Sequence, residues 1–379
     1  MTLSVRACAA CGGTDWKPLP GWHDTAMLSD GRCIAKPMEK EHCFSCGLAR
    51  HIVQPSPEEI EHIFEDGYEL FTRLTGSPYE DQRQSLYATW ILSMLQGRPL
   101  DSMFEVGSGA GGLMAQLKQR LPGVQISGVE PVQSAIETRL GDLNIRRGLL
   151  REIDRASINA DVVLSVNVIE HVEDPIEFLR QSAEAAGPDG CVVVACPDGD
   201  TPSSELLLYD HFHSLTAQAI SLMAGRAGLK VVKLEKAPAA LGPFHAVVLE
   251  RGTAEQPTET PPGDELYEGR RQFLAAWHSL DEKLLAMRTG IGGELWAFGS
   301  GENAQLLRAY APRTWGQVGG ILADTPGHFD GLEVVPYAPP TGEQRAVLLA
   351  VKPESQARLA TRLVDNGDRP LRWDGFVSG

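Results

Sequence analysis

Between residues 102 and 250 the chain alternates short apolar runs with longer amphipathic ones. The runs 102-SMFEV-106, 124-VQISGV-129, 161-DVVLSVN-167 and 190-GCVVVA-195, with a weaker one at 143-LNIRR-147, are almost continuously apolar. That is the pattern of strands covered on both faces, so it predicts a parallel sheet with helical crossovers. The order then changes. Two further strands, 229-LKVVKLE-235 and 245-HAVVLE-250, are separated only by 236-KAPAALGPF-244, too short for a helix, which predicts an antiparallel hairpin at the end of the sheet. A second strand, glycine turn and helix comes at 293-GELWAFGSGENAQLL-307, then another strand at 317-QVGGILADTPG-327. The polar, proline-rich 251-RGTAEQPTETPPG-263 between them reads as a linker. Ahead of all this, residues 1–66 show no long apolar periodicity and are rich in cysteine and histidine. Four segments result: 1–66, a central α/β domain over 67–250, the linker 251–263, and a second α/β domain over 264–379.

Composition narrows the function. The 34 Lys plus Arg against 50 Asp plus Glu leave a formal charge of -16, which argues against a nucleic-acid or anionic-membrane surface. A small pocket for a nucleotide diphosphate stays compatible with it. The start MTLSVRACAACGG lacks the pattern of a secretory signal, and no apolar run approaches the ~20 residues that cross a bilayer, so a cytoplasmic protein is expected. Seven cysteines in such a chain suit metal ligands and buried thiols better than disulfides.

The stretch 104-FEVGSGAGG-112 carries a strand into a glycine turn and then the helix-like 113-LMAQLKQRL-121. Glycines there allow positive backbone angles and close approach of a ligand, and the helix start offers free N–H groups. Glu130, at the end of the next strand, is placed to take both ribose hydroxyls of an adenosine ligand. Glu105, just before the turn, sets a negative charge where a dinucleotide would need its pyrophosphate tolerated. A carboxylate faces an ammonium group far better, so S-adenosylmethionine, with ribose, ammonium and sulfonium, is the better match.

These residues resemble the cofactor motifs of class I S-adenosylmethionine-dependent methyltransferases: E-V-G-S-G-A-G-G, Glu130 and 161-DVVLSVNVIEHVEDPIEFL-179. The resemblance implies a Rossmann-like, mostly parallel seven-stranded sheet ending in an antiparallel hairpin. It implies Glu105, Gly107, Ser108, Gly109 and Glu130 around the cofactor and Asn167 at the tip of the fourth strand. His171, shared by members with different substrates, is read as orienting a loop or the cofactor.

Cys8-x-x-Cys11 and Cys43-x-x-Cys46 form two knuckles, each followed by a glycine. Two such turns complete a closed, structural four-thiolate zinc site, with free thiols or a redox pair as the alternative. A cysteine-knuckle domain, a methyltransferase domain and a second nucleotide-type fold resemble, in that order, the sugar C-methyltransferases acting on nucleotide-linked deoxysugars.

That family carries an acid-histidine pair after the fifth strand, preceded by tyrosine and followed by an aromatic run ending in serine or threonine. In 205-ELLLYDHFHSLT-216, Asp210-His211 falls on the pair, Phe212 on the aromatic run and Thr216 on its hydroxyl end. Three details depart from the pattern: aspartate for the commoner glutamate, Tyr209 adjacent to the acid, and His213 and Ser214 within the aromatic run. Methylating carbon beside a ketone requires a base, for which His211 is suited, with Asp210 biasing its tautomer and Tyr209 or His213 donating to the enolate oxygen. A positioning role for His211 is the other reading. Tyr68, in 64-FEDGYELF-71, resembles the family's tyrosine that lines the substrate pocket. In the C-terminal domain, Gly299, Gly301 and Asp324 either hold the nucleotide of the substrate or only pack helix on strand.

The expected activity is transfer of a methyl group from S-adenosylmethionine to a nucleotide-linked keto-deoxysugar, TDP being the expected nucleotide, at carbon through an enolate. O- or N-methylation of a sugar or glycan is the competitor, and a non-catalytic cofactor-binding scaffold a third reading. The sugar and the oligomeric state are not legible.

Overall fold

The computed structural model describes residues 7–64, 68, 77–253, 263–324, 326–341 and 344–377. They fall into two compact units. The first is drawn from Met1–Pro18, Lys40–Leu206 and Asp210–Tyr267, the second from Leu19–Glu39, Leu207–Tyr209 and Glu268–Gly379. The cysteine-bearing segment is therefore divided: both knuckles group with the central sheet, and the stretch between them groups with the C-terminal sheet. Most of the proline-rich linker lies outside the described residues.

The first unit is built on seven strands: β1 Ser102–Val106, β2 Gln125–Glu130, β3 Asn144–Arg147, β4 Ala160–Val166, β5 Ala186–Pro197, β6 Leu229–Lys236 and β7 Phe244–Arg251. Their order is β6-β7-β5-β4-β1-β2-β3. The pairs within β5-β4-β1-β2-β3 are parallel, and β7 runs antiparallel to both β5 and β6. This is the α/β architecture with a terminal hairpin expected from the apolar runs. Alternation along β5 shows why its run is unbroken: Val192, Val194 and Cys196 pack into one apolar cluster with Phe104, Val106 and Val163, while Cys191, Val193 and Ala195 pack into another with Leu113, Leu117 and Leu164. Each face of the sheet has its own core.

Helices start where polar caps allow. Ser77 accepts from the Glu80 amide ahead of helix Pro78–Met94, Asp174 accepts from Ile176 and Glu177 ahead of Pro175–Ala185, and Thr216 accepts from Ala219 ahead of Ala217–Arg226. Each cap satisfies amides that the first turn leaves without partners.

A second, four-stranded sheet in the same unit consists of Trp16–Pro18, Lys40–Cys43, Ala49–His51 and His213–Ser214. His213 and Ser214 pair antiparallel with Arg50 and Ala49. The loop carrying His211 is thus stitched to the hairpin that carries Cys43 and Cys46. Thr216 reinforces the seam by donating its hydroxyl to the Cys46 carbonyl at 2.7 Å, and Lys40 donates to the His211 carbonyl at 2.9 Å.

Besides the two-residue pair Ala26–Met27 and Cys33–Ile34, the second unit carries one larger sheet among the described residues: β8 Leu295–Phe298, β9 Val318–Ala323, β10 Gly327–Phe329, β11 Leu332–Pro336, β12 Ala346–Leu349 and β13 Arg369–Leu371. Their order is β10-β11-β9-β8-β12-β13, parallel except for β10. No helix among the described residues is long and apolar enough to cross a membrane.

Candidate active site

The glycine turn leaves β1 with Gly107 at φ 69°, a left-handed conformation that favours glycine. A Cβ at Gly107 would lie 2.4 Å from the Val168 Cγ2, so the backbone approaches here more closely than any side chain permits. The turn is closed from the next strand: the Gly107 and Ser108 amides donate to the Val129 carbonyl at 2.9 and 3.2 Å, and Gly109 donates to Glu130 Oε2 at 2.8 Å. The other Glu130 oxygen accepts from Val132 at 2.8 Å. Glu130 is thereby fixed across the turn, and an ionised carboxylate still has lone pairs for two further donors. Burial raises its pKa to about 7, against those two amide bonds.

Glu105 is buried, and burial followed by the nearby Glu130 charge pushes its pKa well above the usual range. Among the described residues its Oε2 has no hydrogen-bond partner, nor does the Ser108 hydroxyl. Two buried acids raised together, with acceptor atoms unspent, form a setting that a cation relieves. Asn167 ends β4 at φ 56°, its amide bonded to the Ala195 carbonyl at 2.9 Å. The sequence-expected cofactor residues are therefore gathered on the carboxyl edge of β1, β2 and β4, and their chemistry fits a ligand with ribose hydroxyls and positive charge.

On the same edge three histidines, His211 and His213 buried and His171 partly so, sit in contrasting surroundings. His171 and His211 meet edge to face, with ring centroids 4.8 Å apart. His171 Nδ1 lies 2.6 Å from the Asp210 carbonyl, and burial, then the neighbouring His211, lowers its pKa to about 4. His213 Nε2 faces the Glu173 carbonyl at 3.4 Å, and burial takes it to about 4 as well. His211 is the exception. Burial works against its charge too, yet Glu205, then Glu170 and Asp210, raise it above 6.5. Glu205 Oε2 stands 3.7 Å from His211 Nδ1, and Ser214 donates to the other Glu205 oxygen at 2.5 Å. Despite burial, Glu205 is lowered by His211, Lys40 and Ser214.

The sequence reading assigned Asp210 to bias His211, whereas the carboxylate facing the His211 ring nitrogen is Glu205. Asp210 lies by His171 instead, its Oδ2 3.9 Å from Nδ1, and acts on His211 more weakly through space. His213, expected as an alternative enolate donor, turns to the Glu173 carbonyl and holds a two-residue strand. Tyr209 is buried, its amide donating to the Met27 carbonyl at 2.8 Å, and it groups with the second unit. Tyr68 packs with Val132 and Ala135, and its ring lies 5.2 Å from Phe64, which in turn lies 5.6 Å from His171. Glu170, Glu205, Lys40 and Phe64 carried no motif of their own. Glu205 opens the very stretch that holds His211, but five residues of sequence intervene and no periodicity links them.

The four cysteines also converge. Cys8 Sγ is 3.6 Å from Cys46 Sγ and Cys11 Sγ is 3.6 Å from Cys43 Sγ, all four sulfurs lying within 4.8 Å of one another. A tetrahedral ion with metal–sulfur bonds of ~2.3 Å needs sulfurs about 3.8 Å apart, so the set fits such an ion and leaves no open position. The close-packed thiols shift one another, Cys43 downward and Cys8 upward. Cys8, Cys43 and Cys46 belong to the main core cluster.

In the second unit Gly299 has φ 111° and a Cβ there would meet the Ala350 carbonyl oxygen at 2.5 Å, which accounts for that glycine by packing. Asp324 is exposed, 3.3 Å from Arg362.

Comparison with known proteins bears on part of the chain. Residues 79–234 match the family described as Methyltransferase domain. A protein of Mycolicibacterium smegmatis named "Probable S-adenosylmethionine-dependent methyltransferase" is 27% identical over 194 residues, covering 48% of this chain and 68% of that protein. The ubiquinone biosynthesis O-methyltransferase of Azorhizobium caulinodans is 33% identical over 107 residues, 26% of this chain. The chain spans 42% of that relative's length. Among solved structures, magnesium protoporphyrin IX methyltransferase from Synechocystis PCC 6803 aligns with a TM-score of 0.41 and 13% identity, over 52% of this chain and 100% of that one. Residues 79–234 are thus a methyltransferase domain, carried on a mostly parallel seven-stranded sheet that ends in an antiparallel hairpin.

Proposed function

We propose that the protein transfers a methyl group from S-adenosylmethionine to carbon in a nucleotide-linked keto-deoxysugar, with TDP as the nucleotide, and that His211 removes the proton beside the ketone. Bound S-adenosylmethionine supplies an electrophilic methyl group on a sulfonium. Around it, Glu130 offers acceptors to ribose hydroxyls and Glu105 faces positive charge across the turn of Gly107, Ser108 and Gly109. Asn167 adds an amide at the tip of β4.

The observation that carries the proposal is the contrast among the three histidines. A general base works best when its pKa lies near the operating pH. His171 and His213 are driven too low for that, and His211 alone is held up by carboxylates. With Glu205 Oε2 facing Nδ1 at 3.7 Å, the charge favours the proton on Nδ1, and Nε2 then carries the lone pair that can accept a proton from a carbon acid. The C–H pair of electrons then forms the enolate, whose carbon would take the methyl group as the sulfonium–methyl bond breaks with its electrons left on the thioether sulfur, and the proton leaves from His211 to solvent. The cysteine hairpin supports this loop through the His213–Ser214 pairing, Thr216 and Lys40. We assign zinc to the four cysteines, as a structural ion. The second α/β unit is assigned to the nucleotide part of the substrate on its mostly parallel sheet alone, since packing accounts for Gly299.

O-methylation is the second reading, favoured by the printed activity of the Azorhizobium caulinodans relative. His211 would then accept a hydroxyl proton. The two are separated by His211→Asn with calorimetry and product analysis: unchanged S-adenosylmethionine affinity with loss of carbon methylation supports the first. Full turnover in the variant removes His211 from the mechanism.

A further inference from the structure

One carboxylate near His211 acts on it only through space. Glu170 comes after β4 in the turn Ile169–His171 and is 1% exposed, yet neither of its oxygens has a hydrogen-bond partner among the described residues. A carboxylate buried without donors is costly unless a cation meets it. Glu170, His171 and His211 each offer one donor atom, and these three atoms lie within 4.8 Å of one another.

One imidazole is also oriented as metal-bound histidines are. His171 turns Nδ1 to the Asp210 carbonyl at 2.6 Å, and such an outer partner fixes the tautomer and leaves the lone pair on Nε2. His211 Nδ1 has the Glu205 carboxylate facing it at 3.7 Å, beyond hydrogen-bond reach. Charge points the same way. The buried carboxylates here are Glu170, Glu205 and Asp210, and the buried ammonium beside them is Lys40. Arg50, the next cation, is engaged with Glu41 at 2.9 Å. The neighbouring group Asp198, Asp200 and His245 provides a contrast, since Lys236 already meets Asp198 at 2.9 Å.

We infer that Glu170, His171 and His211 form a site for a divalent transition-metal ion, separate from the four cysteines, whose occupancy takes His211 out of proton transfer. Two imidazoles and one carboxylate suit Zn2+, Co2+ or Ni2+ and leave coordination positions open. Binding stands on the side-chain geometry alone. The inhibitory consequence rests on the proposed role of His211.

The test uses the full chain loaded with one zinc per four cysteines, titrated with Co2+ and followed by visible absorption and metal analysis. The expected result is one further Co2+ per chain, with ligand-field bands and no sulfur-to-cobalt charge transfer. Glu170→Gln should weaken uptake about tenfold or more, and His171→Gln comparably, with S-adenosylmethionine affinity kept as the check on folding. Methyl transfer should fall as Co2+ fills the site and return with a chelator. No uptake beyond the cysteines, or equal uptake by both folded variants, overturns the site. Uptake without loss of transfer overturns the inhibition. Absence of S-adenosylmethionine binding in the unaltered protein is a separate result, which sinks the proposed function and leaves the metal measurement standing.

Discussion

Replacing Glu205 with Gln tests the claim that this residue keeps His211 a competent base. At 3.7 Å and an effective dielectric constant near 20, the pair is worth about 4 kcal/mol of Coulomb energy. If half of that is felt in the proton-transfer transition state, the loss is roughly 2 kcal/mol, or about 30-fold in kcat. The site contains its own comparison, because His213, buried, and His171, partly buried, are not faced by Glu205 and are lowered to about 4. His211 in the variant should move down toward them. The ascending limb of the pH–rate profile should shift to lower pH and its plateau should drop. Proton–carbon NMR of the histidine rings reads the same change without any acceptor, with His211→Asn assigning the resonance. Identical His211 midpoints in the unaltered and Glu205→Gln proteins would refute the reasoning.

The same groups set other outcomes. Glu130 at about 7 must ionise to serve a cationic cofactor, so S-adenosylmethionine affinity measured by calorimetry should rise about tenfold between pH 6 and 8; a flat profile contradicts that role. Glu130 and Glu170 are both raised from 4.5 to about 7, so the cofactor-free fold binds more protons than the unfolded chain, and its melting temperature should fall as pH rises across that window. Gly107→Ala sets a methyl 2.4 Å from Val168 at positive φ and should cut cofactor affinity at least tenfold by calorimetry, with far-ultraviolet dichroism unchanged. Stripping metal, or Cys46→Ser, should lower the unfolding temperature and reduce kcat more than cofactor affinity, because the cysteine hairpin holds the His211 loop; equal stability with and without metal would count against a structural ion.

The sheet was legible because its strands are covered on both faces, which writes them as continuous apolar runs. Ser102–Val106 appears at the bounds its pattern suggests. β5 extends from Ala186 to Pro197, beyond the run 190–195, since its register shifts between Ala186 and Cys191 and its far end pairs with β7 through Cys196 and Pro197. The glycine turn and Glu130 were legible as local chemistry. Tertiary contacts were not: Lys40 reaches the His211 carbonyl across 171 residues, and a two-residue strand such as His213–Ser214 is too short to show alternation. The pairing around His211 is of the same kind: Asp210 does raise it through space, but the carboxylate facing its ring nitrogen is Glu205. Adjacency in sequence favoured Asp210, while the turn at Asp210-His211 directs the Asp210 carbonyl and carboxylate to His171 and leaves the His211 ring to Glu205. The division of residues 1–66 between two units likewise has no signal in composition.

The most direct test of the account is mass spectrometry of thymidine-diphosphate keto-deoxyhexoses incubated with the protein in deuterated buffer, with and without S-adenosylmethionine. The account predicts protein-dependent deuterium uptake beside the ketone, lost in His211→Asn, and gain of one carbon-bound methyl group when the cofactor is present. Cofactor binding with neither deuterium uptake nor methylated product would contradict it.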